Sequence, residues 1–278
     1  MNEAPRQELP KEITRYYQET AEERRLAVGP AQLEFDRTKE VVLRYLPPPP
    51  ATVLDVGGAA GSYALWLAER GYQVHLIDAV PRLVEEAQCR SEASRNRICT
   101  CQVGDARELA LPDGVADGVL LLGPLYHLTE GDQRQRALCE AYRVLRPGGV
   151  LFAAAISRYA SALDGLARDL FADPAFAGIV EQDLEKGQHR NETGNWDYFT
   201  TAYFHRPEEL QAELVSAGFK CEAVFGLEGP GWLLSDFNAR WADAKKREDM
   251  LRVARALERE ASIVGLSAHL LAVGTKSG

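Results

Sequence analysis

Apolar residues at Leu26, Leu33, Phe35, Val41, Val42, Leu43 and Leu46 recur among charged neighbours, so the first 46 residues predict helix. Pro47 to Pro50 ends that pattern, because consecutive prolines remove the backbone donors a helix needs. The period then changes. Thr52-Val53-Leu54-Asp55-Val56 is a short β-branched run; glycines follow, and a helix is expected from Ser62 to Arg70, stopped by Gly71. Tyr72 to Asp78 reads as a second strand, Pro81 to about Ser94 as helix, and Ile98 to Val103 as a third strand. Val115 to Leu122 is a fourth strand and Asp132 to Leu145 a helix; Pro147-Gly148-Gly149 turns the chain into a fifth strand, Val150 to Ile156. Strands alternating with helices of this length predict βαβ units and an α/β, doubly wound, mainly parallel sheet. Right-handed crossovers place helices on both of its faces.

The remainder is less regular. Residues 158–204 hold short helical stretches and an aromatic cluster of Trp196, Tyr198, Phe199, Tyr203 and Phe204. Pro207 to Gly218 predicts a helix, Lys220 to Leu227 a sixth strand, and Phe237 to Ala261 a long charged amphipathic helix. His269 to Thr275 closes the pattern as a seventh strand.

Composition narrows the function classes. The chain has 278 residues and a formal net charge of −9, which argues against a protein that tracks nucleic-acid phosphates. The N-terminal residues show no apolar leader, and the densest apolar run, Gly149 to Ile156, suits a buried strand and not a membrane span. A cytoplasmic protein is the expectation, without membrane association. Five cysteines, Cys89, Cys99, Cys101, Cys139 and Cys221, include no C-x-x-C pair. Free thiols are expected, with Cys99 and Cys101 sharing a strand face toward the core, and no metal site.

The segment VLDVGGAAGSYALWLAERGYQVHLID, residues 53–78, carries the chemistry. A strand ends, a glycine-rich turn follows and a helix begins, so the turn lies at the carboxyl edge of the sheet, where ligands bind. Glycine lets the backbone approach a ligand closely, and a helix N-terminus offers free N–H groups. Asp78, at the end of strand two, can accept both hydroxyls of a ribose, with Ala79 beside it. Gly57, Gly58 and Gly61 give G-G-x-x-G, where a dinucleotide fold uses G-x-G-x-x-G. Asp55, two residues ahead, would repel a pyrophosphate and suits the amino group of a methionine moiety.

This stretch resembles motif I of the class I, Rossmann-like S-adenosylmethionine-dependent methyltransferases, D-x-G-x-G-x-G. Asp55, Gly57 and Gly61 are in place, and Ala59 replaces the middle glycine. The resemblance extends over residues 50–156. It implies a seven-stranded sheet with the last strand antiparallel, and S-adenosylmethionine as cofactor, released as S-adenosylhomocysteine. Gly104-Asp105-Ala106 then meets the adenine, and Leu122-Gly123 passes beside the methyl donor. Arg143 to Gly149 resembles the turn into strand five of the small-molecule branch. Residues 1–46 correspond to a helical lid on a domain of residues 47–278, with 158–204 and 230–262 as substrate-cap insertions.

On that lid, Tyr16 and Tyr17 are candidates to cover the cofactor. Arg37 is a candidate to pair with the methionine carboxylate, or else a solvated helix arginine. His127, just after the donor loop, and His205 are candidate general bases. Tyr126, Trp196, Phe199, Tyr203 and Trp232 either line an acceptor pocket or form the core of a cap. Gly123-Pro124-Leu125-Tyr126 lacks the Asn, Asp or Ser that amino-group methyltransferases of DNA carry at this loop, and no cysteine follows Pro124. The expected reaction is therefore in-line methyl transfer to O or N of a small metabolite by a monomer or homodimer. An RNA or protein methyltransferase and a non-catalytic cofactor-binding regulator are the alternatives.

Overall fold

In the computed structural model, which describes residues 11–19 and 25–278, nine strands form one sheet. Its order is β3-β2-β1-β4-β5-β7-β6, with β9 paired to both β5 and β8. The strands are β1 (Thr52–Val56), β2 (Gln73–Asp78), β3 (Thr100–Val103), β4 (Ala116–Leu121), β5 (Leu145–Ser157), β6 (Gln188–His189), β7 (Ala202–His205), β8 (Lys220–Gly226) and β9 (His269–Thr275). β1 to β5 are parallel, and β9 runs antiparallel between β5 and β8.

Side-chain alternation explains why both faces must be covered. Val53, Val74, Leu120 and Phe152 point to one face, beneath α2 (Ala31–Tyr45), α3 (Ser62–Ala68) and α4 (Pro81–Ala93). Leu54, Ile77, Val119 and Leu151 point to the other, beneath α5 (Pro124–His127), α6 (Gly131–Val144) and α9 (Pro207–Ser216). The first described helix, α1 (Lys11–Glu19), lies outside both layers, at the carboxyl edge, where Tyr17 reaches His127.

Three expectations change. The sheet has nine strands and not seven, because residues 158–204 contain the hairpin β6–β7 beside α7 (Ala160–Arg168) and α8 (Pro174–Lys186). β7 extends β5 in parallel, pairing Ile156 with Phe204 and Ser157 with His205. The helix expected from Phe237 to Ala261 is two: α10 (Phe237–Ala242) and α11 (Ala244–Leu257). Asp243 between them caps α11, accepting from the Lys245 and Lys246 N–H groups at 3.0 and 3.1 Å, which overrides amphipathic periodicity. Cys99 is exposed and not in the core, since β3 begins only at Thr100. All five cysteines are free.

Candidate functional site

The carboxyl ends of β1, β2, β3 and β4 open into a cleft of about 1000 Å³, its mouth included. Its floor is main chain. The Gly57 N–H donates to the Ile77 carbonyl at 2.7 Å, tying the glycine loop to β2. Gly57 has φ +74°, and a Cβ there would come within 2.5 Å of the Pro124 ring. A Cβ on Gly58 would come within 2.8 Å of the Asp55 carboxyl, and one on Gly104 within 2.7 Å of Ile77. Gly61, at φ +79°, caps α3 below the cleft and does not line it. Ala59 also sits in the left-handed region, at φ 46°. The motif's middle glycine is thus replaced where glycine would be least strained.

Two acids close this floor. Asp78 accepts the Ala59 N–H and the Val80 N–H, each at 2.8 Å, so it holds the glycine loop as well as the end of β2. A carboxylate has about four acceptor directions, which leaves capacity for ligand hydroxyls. Asp55 is buried, with no hydrogen bond to Oδ2 from the described residues. Burial, and then the charge of Asp78, push its carboxyl up to about 7. A cationic amino group at this spot would satisfy both the orphaned oxygen and the charge. The acids and the glycine floor therefore fit S-adenosylmethionine.

Ala79, Gly104, Asp105, Ala106, Leu122 and Gly123 all line the same cleft. Asp105 carries a partner that the sequence reading did not include: Arg107 donates to it through Nε at 2.9 Å and Nη2 at 2.6 Å. Burial opposes ionisation there, but the fork outweighs it and holds the Asp105 carboxyl below its usual range.

The cleft's upper wall comes from the N-terminal segments. Ile13 and Tyr17 of α1 line it, with Arg25 and Leu26. Tyr17 and His127 share a 2.6 Å hydrogen bond through Nε2, and Arg82 donates to the Tyr17 carbonyl. Burial is the main cause that lowers His127 to about 4, so its ring is neutral near pH 7. Arg37 does not reach this wall. Its fully buried guanidinium pairs with Glu40 and Glu258, where α2 meets the end of α11, because helix phase turns it away from the cleft. The arginine that lines the cleft is Arg25, whose only sequence signal was a cationic pair with Arg24 ahead of Gly29-Pro30.

A second chamber adjoins the first, and Tyr17, Arg25 and Tyr126 line both. Phe199 and Trp232 belong to it, as does Tyr198, which the aromatic cluster contained. Three expected members are elsewhere. Trp196 packs edge-on against Tyr16 and donates to Glu19 at 2.9 Å outside the chamber. Tyr203 lies under the Arg134 guanidinium, 3.7 Å from the ring centroid. His205 is fully buried against Glu213, 3.2 Å from Nε2, and reaches neither chamber. The parallel pairing of β7 with β5 turns Tyr203 and His205 toward α9 and away from the opening.

One group was passed over. His269, at the start of β9, lines the second chamber, and its Nδ1 is 2.6 Å from Glu228 and 3.7 Å from Glu34. The other oxygen of Glu228 accepts the His269 N–H at 3.1 Å, and Arg25 donates to Glu34 at 2.8 Å. The carboxylates, the imidazole and the guanidinium therefore satisfy one another. Arg25 and Glu34 share one N-terminal stretch, but Glu228 and His269 lie far along the chain, so no spacing rule links the four.

Comparisons with known proteins agree with this geometry. Residues 54–153 match the methyltransferase domain family. A ubiquinone/menaquinone biosynthesis C-methyltransferase of Acidiphilium cryptum is 31% identical over 210 residues, 70% of this chain and 79% of that protein. A ubiquinone biosynthesis O-methyltransferase of Xanthomonas axonopodis is 30% identical over 211 residues, covering 74% and 75%. Among solved structures, a SAM-dependent methyltransferase of Methanosarcina mazei superposes with a TM-score of 0.58 at 16% identity, covering 85% of this chain and 97% of its own. That likeness speaks for the fold; the two curated relatives, at their identity and coverage, speak for more. The chain belongs to the class I, Rossmann-like S-adenosylmethionine-dependent methyltransferases, and S-adenosylmethionine is its cofactor.

Proposed function

We propose that the protein transfers a methyl group to an oxygen or nitrogen of a small-molecule acceptor held in the second chamber. The observation that carries this reading is the continuity of the two spaces: Tyr17, Arg25 and Tyr126 are walls of both. In this reading Asp78 takes the ribose hydroxyls, Asp55 the amino group, and Asp105 with the Ala106 N–H the adenine. S-adenosylmethionine, when bound, supplies an electrophilic methyl carbon on a sulfonium sulfur. The chain's own part is placement and exclusion of water, which together lower the barrier of such a displacement. α1 acts as the lid, and the 158–204 and 230–262 segments wall the acceptor.

The net charge of −9 and the walls around the second chamber favour a small acceptor over RNA or a protein surface. The names of the relatives above, which concern quinone biosynthesis, support a small molecule without fixing the atom methylated. The test has two stages. S-adenosylhomocysteine binding by calorimetry is expected to be tight; label from [methyl-³H]S-adenosylmethionine is then expected on hydroxylated or aminated small aromatics. Binding with no transfer across such a panel would favour a regulatory role, and transfer to RNA or protein would overturn the acceptor class.

A further inference from the structure

We propose that His269, backed by Glu228 and Glu34, is the general base of the second chamber and takes the proton from the hydroxyl of a flat, phenol-like acceptor. This rests on the proposed function and names its base and acceptor class.

The geometry comes first. Nδ1 of His269 is committed to Glu228 at 2.6 Å, which sets the tautomer with the proton on Nδ1 and leaves Nε2 as the basic atom. Nε2 has no hydrogen-bond partner among the described residues, and the side chain keeps 24% of its exposure. Because His269 lines the second chamber, that exposure opens onto the acceptor space. Arg25 links the base to the donor cleft: it lines both spaces and holds Glu34, itself 3.7 Å from the imidazole. The base thus stands one side chain away from the junction.

The charges fit a base that forms an imidazolium. Glu34 and Glu228 face the ring, and Arg25 offsets one of them, so gaining a proton brings the four groups to neutrality. Burial opposes that proton, but Glu34 and Glu228 outweigh burial and Arg25, and raise His269 above the ordinary histidine value. Asp164 and Asp197, across the same chamber, add further negative charge. His127 has the opposite setting: no carboxylate partner among the described residues, a ring nitrogen already bonded to Tyr17, and a low affinity for protons.

The acceptor class follows from the walls and from acidity. Tyr126, Phe199, Phe204 and Trp232 present ring faces and edges that suit a planar aromatic. A phenolic hydroxyl ionises near 10, within a few pH units of such an imidazole, whereas an aliphatic alcohol does not. In the step, the acceptor O–H bond breaks and its proton goes to Nε2. The oxygen lone pair forms the new O–CH₃ bond, and the electrons of the old S–CH₃ bond return to sulfur. Glu228 acts through the imidazole and is a positioning residue.

The test uses the full chain saturated with S-adenosylhomocysteine and 4-nitrophenol as probe. In the wild type, the His269 Cε1–H resonance is expected to titrate above the usual histidine range, and lower in Glu228→Gln. Bound 4-nitrophenol is expected to show its phenolate absorbance at pH values where the free phenol is mostly neutral, and to lose it in His269→Asn. In a separate assay with S-adenosylmethionine in place of S-adenosylhomocysteine, transfer to the probe by His269→Asn should fall by roughly 10²–10³ in kcat with KM little changed, the usual scale for a lost base. A wild-type His269 that titrates at or below the ordinary value overturns the proposal, as does an equal phenolate signal in His269→Asn. If His269→Asn no longer binds S-adenosylhomocysteine, it is misfolded, and the wild-type titration with Glu228→Gln decides. A wild type that fails to bind S-adenosylhomocysteine sinks the proposed function itself, a distinct result.

Discussion

The two chambers are built in different ways. The donor cleft takes most of its floor from residues 55–128, a single stretch in which strand ends and turns alternate. The second chamber draws on α1, on the loop before β7, on Trp232 after β8 and on His269 at the start of β9. One is made of main chain and strand-end acids, the other of side chains from distant elements. Each holds a histidine, and their surroundings are opposed: His127 is buried and driven to about 4, whereas His269 is raised by two carboxylates. Recognition of a fixed ligand can be written locally, while recognition of a variable one depends on how remote segments meet.

The contrast breaks most sharply at Asp78. Asp78→Ala removes the acceptor of the Ala59 and Val80 N–H groups as well as the proposed ribose contact, so S-adenosylhomocysteine affinity should fall by about 3 kcal/mol, roughly 100-fold. Unchanged binding in calorimetry would refute the donor cleft. Arg37→Ala tests the opposite expectation, that this arginine serves the scaffold alone. Leaving Glu258 without its buried partner should cost about 2–3 kcal/mol in chemical denaturation, with ligand affinity unchanged.

Asp55 links the cleft to pH. Its folded carboxyl keeps its proton to about 7, whereas the ordinary value is 3.8. The unfolded chain therefore binds fewer protons between those values, and the free protein loses stability as pH rises through that window. Asp55→Asn should flatten this decline, making the free protein about 2 kcal/mol more stable at pH 8, while weakening S-adenosylhomocysteine binding. A thermal-denaturation series from pH 4 to 8 without ligand measures it. The smallest effect belongs to the junction. Tyr17→Phe deletes one hydrogen bond to His127 and should cost about 1 kcal/mol in ligand binding, leaving the His269 titration unmoved. A shift at His269 would mean that the chambers are coupled through this contact.

Much of the donor cleft was legible because its chemistry repeats with chain spacing. Asp55, Gly57, Gly58, Asp78, Gly104 and Asp105 follow strand ends that alternation alone locates. Arg37 was misread because helical periodicity gives a face but not the neighbour that covers it; Glu258 lies 221 residues away. Between the two readings left open for the aromatic cluster, Tyr203 falls outside the chamber because β7 pairs with β5 and sends alternate side chains to opposite sides, and Trp196, on the turn before β7, packs against Tyr16.

By itself the sequence determined the α/β alternation, the glycine loop and the acids that end the strands, since each depends on backbone rules acting over a few residues. It also determined the family through which the cofactor is known. Only the tertiary structure decided that Arg25, and not Arg37, walls the cleft, and that His269 meets Glu34 and Glu228 beside the acceptor space. The contact of Glu34 with His269 joins segments more than 200 residues apart, and no local period records which distant charge a folded chain will bury against another.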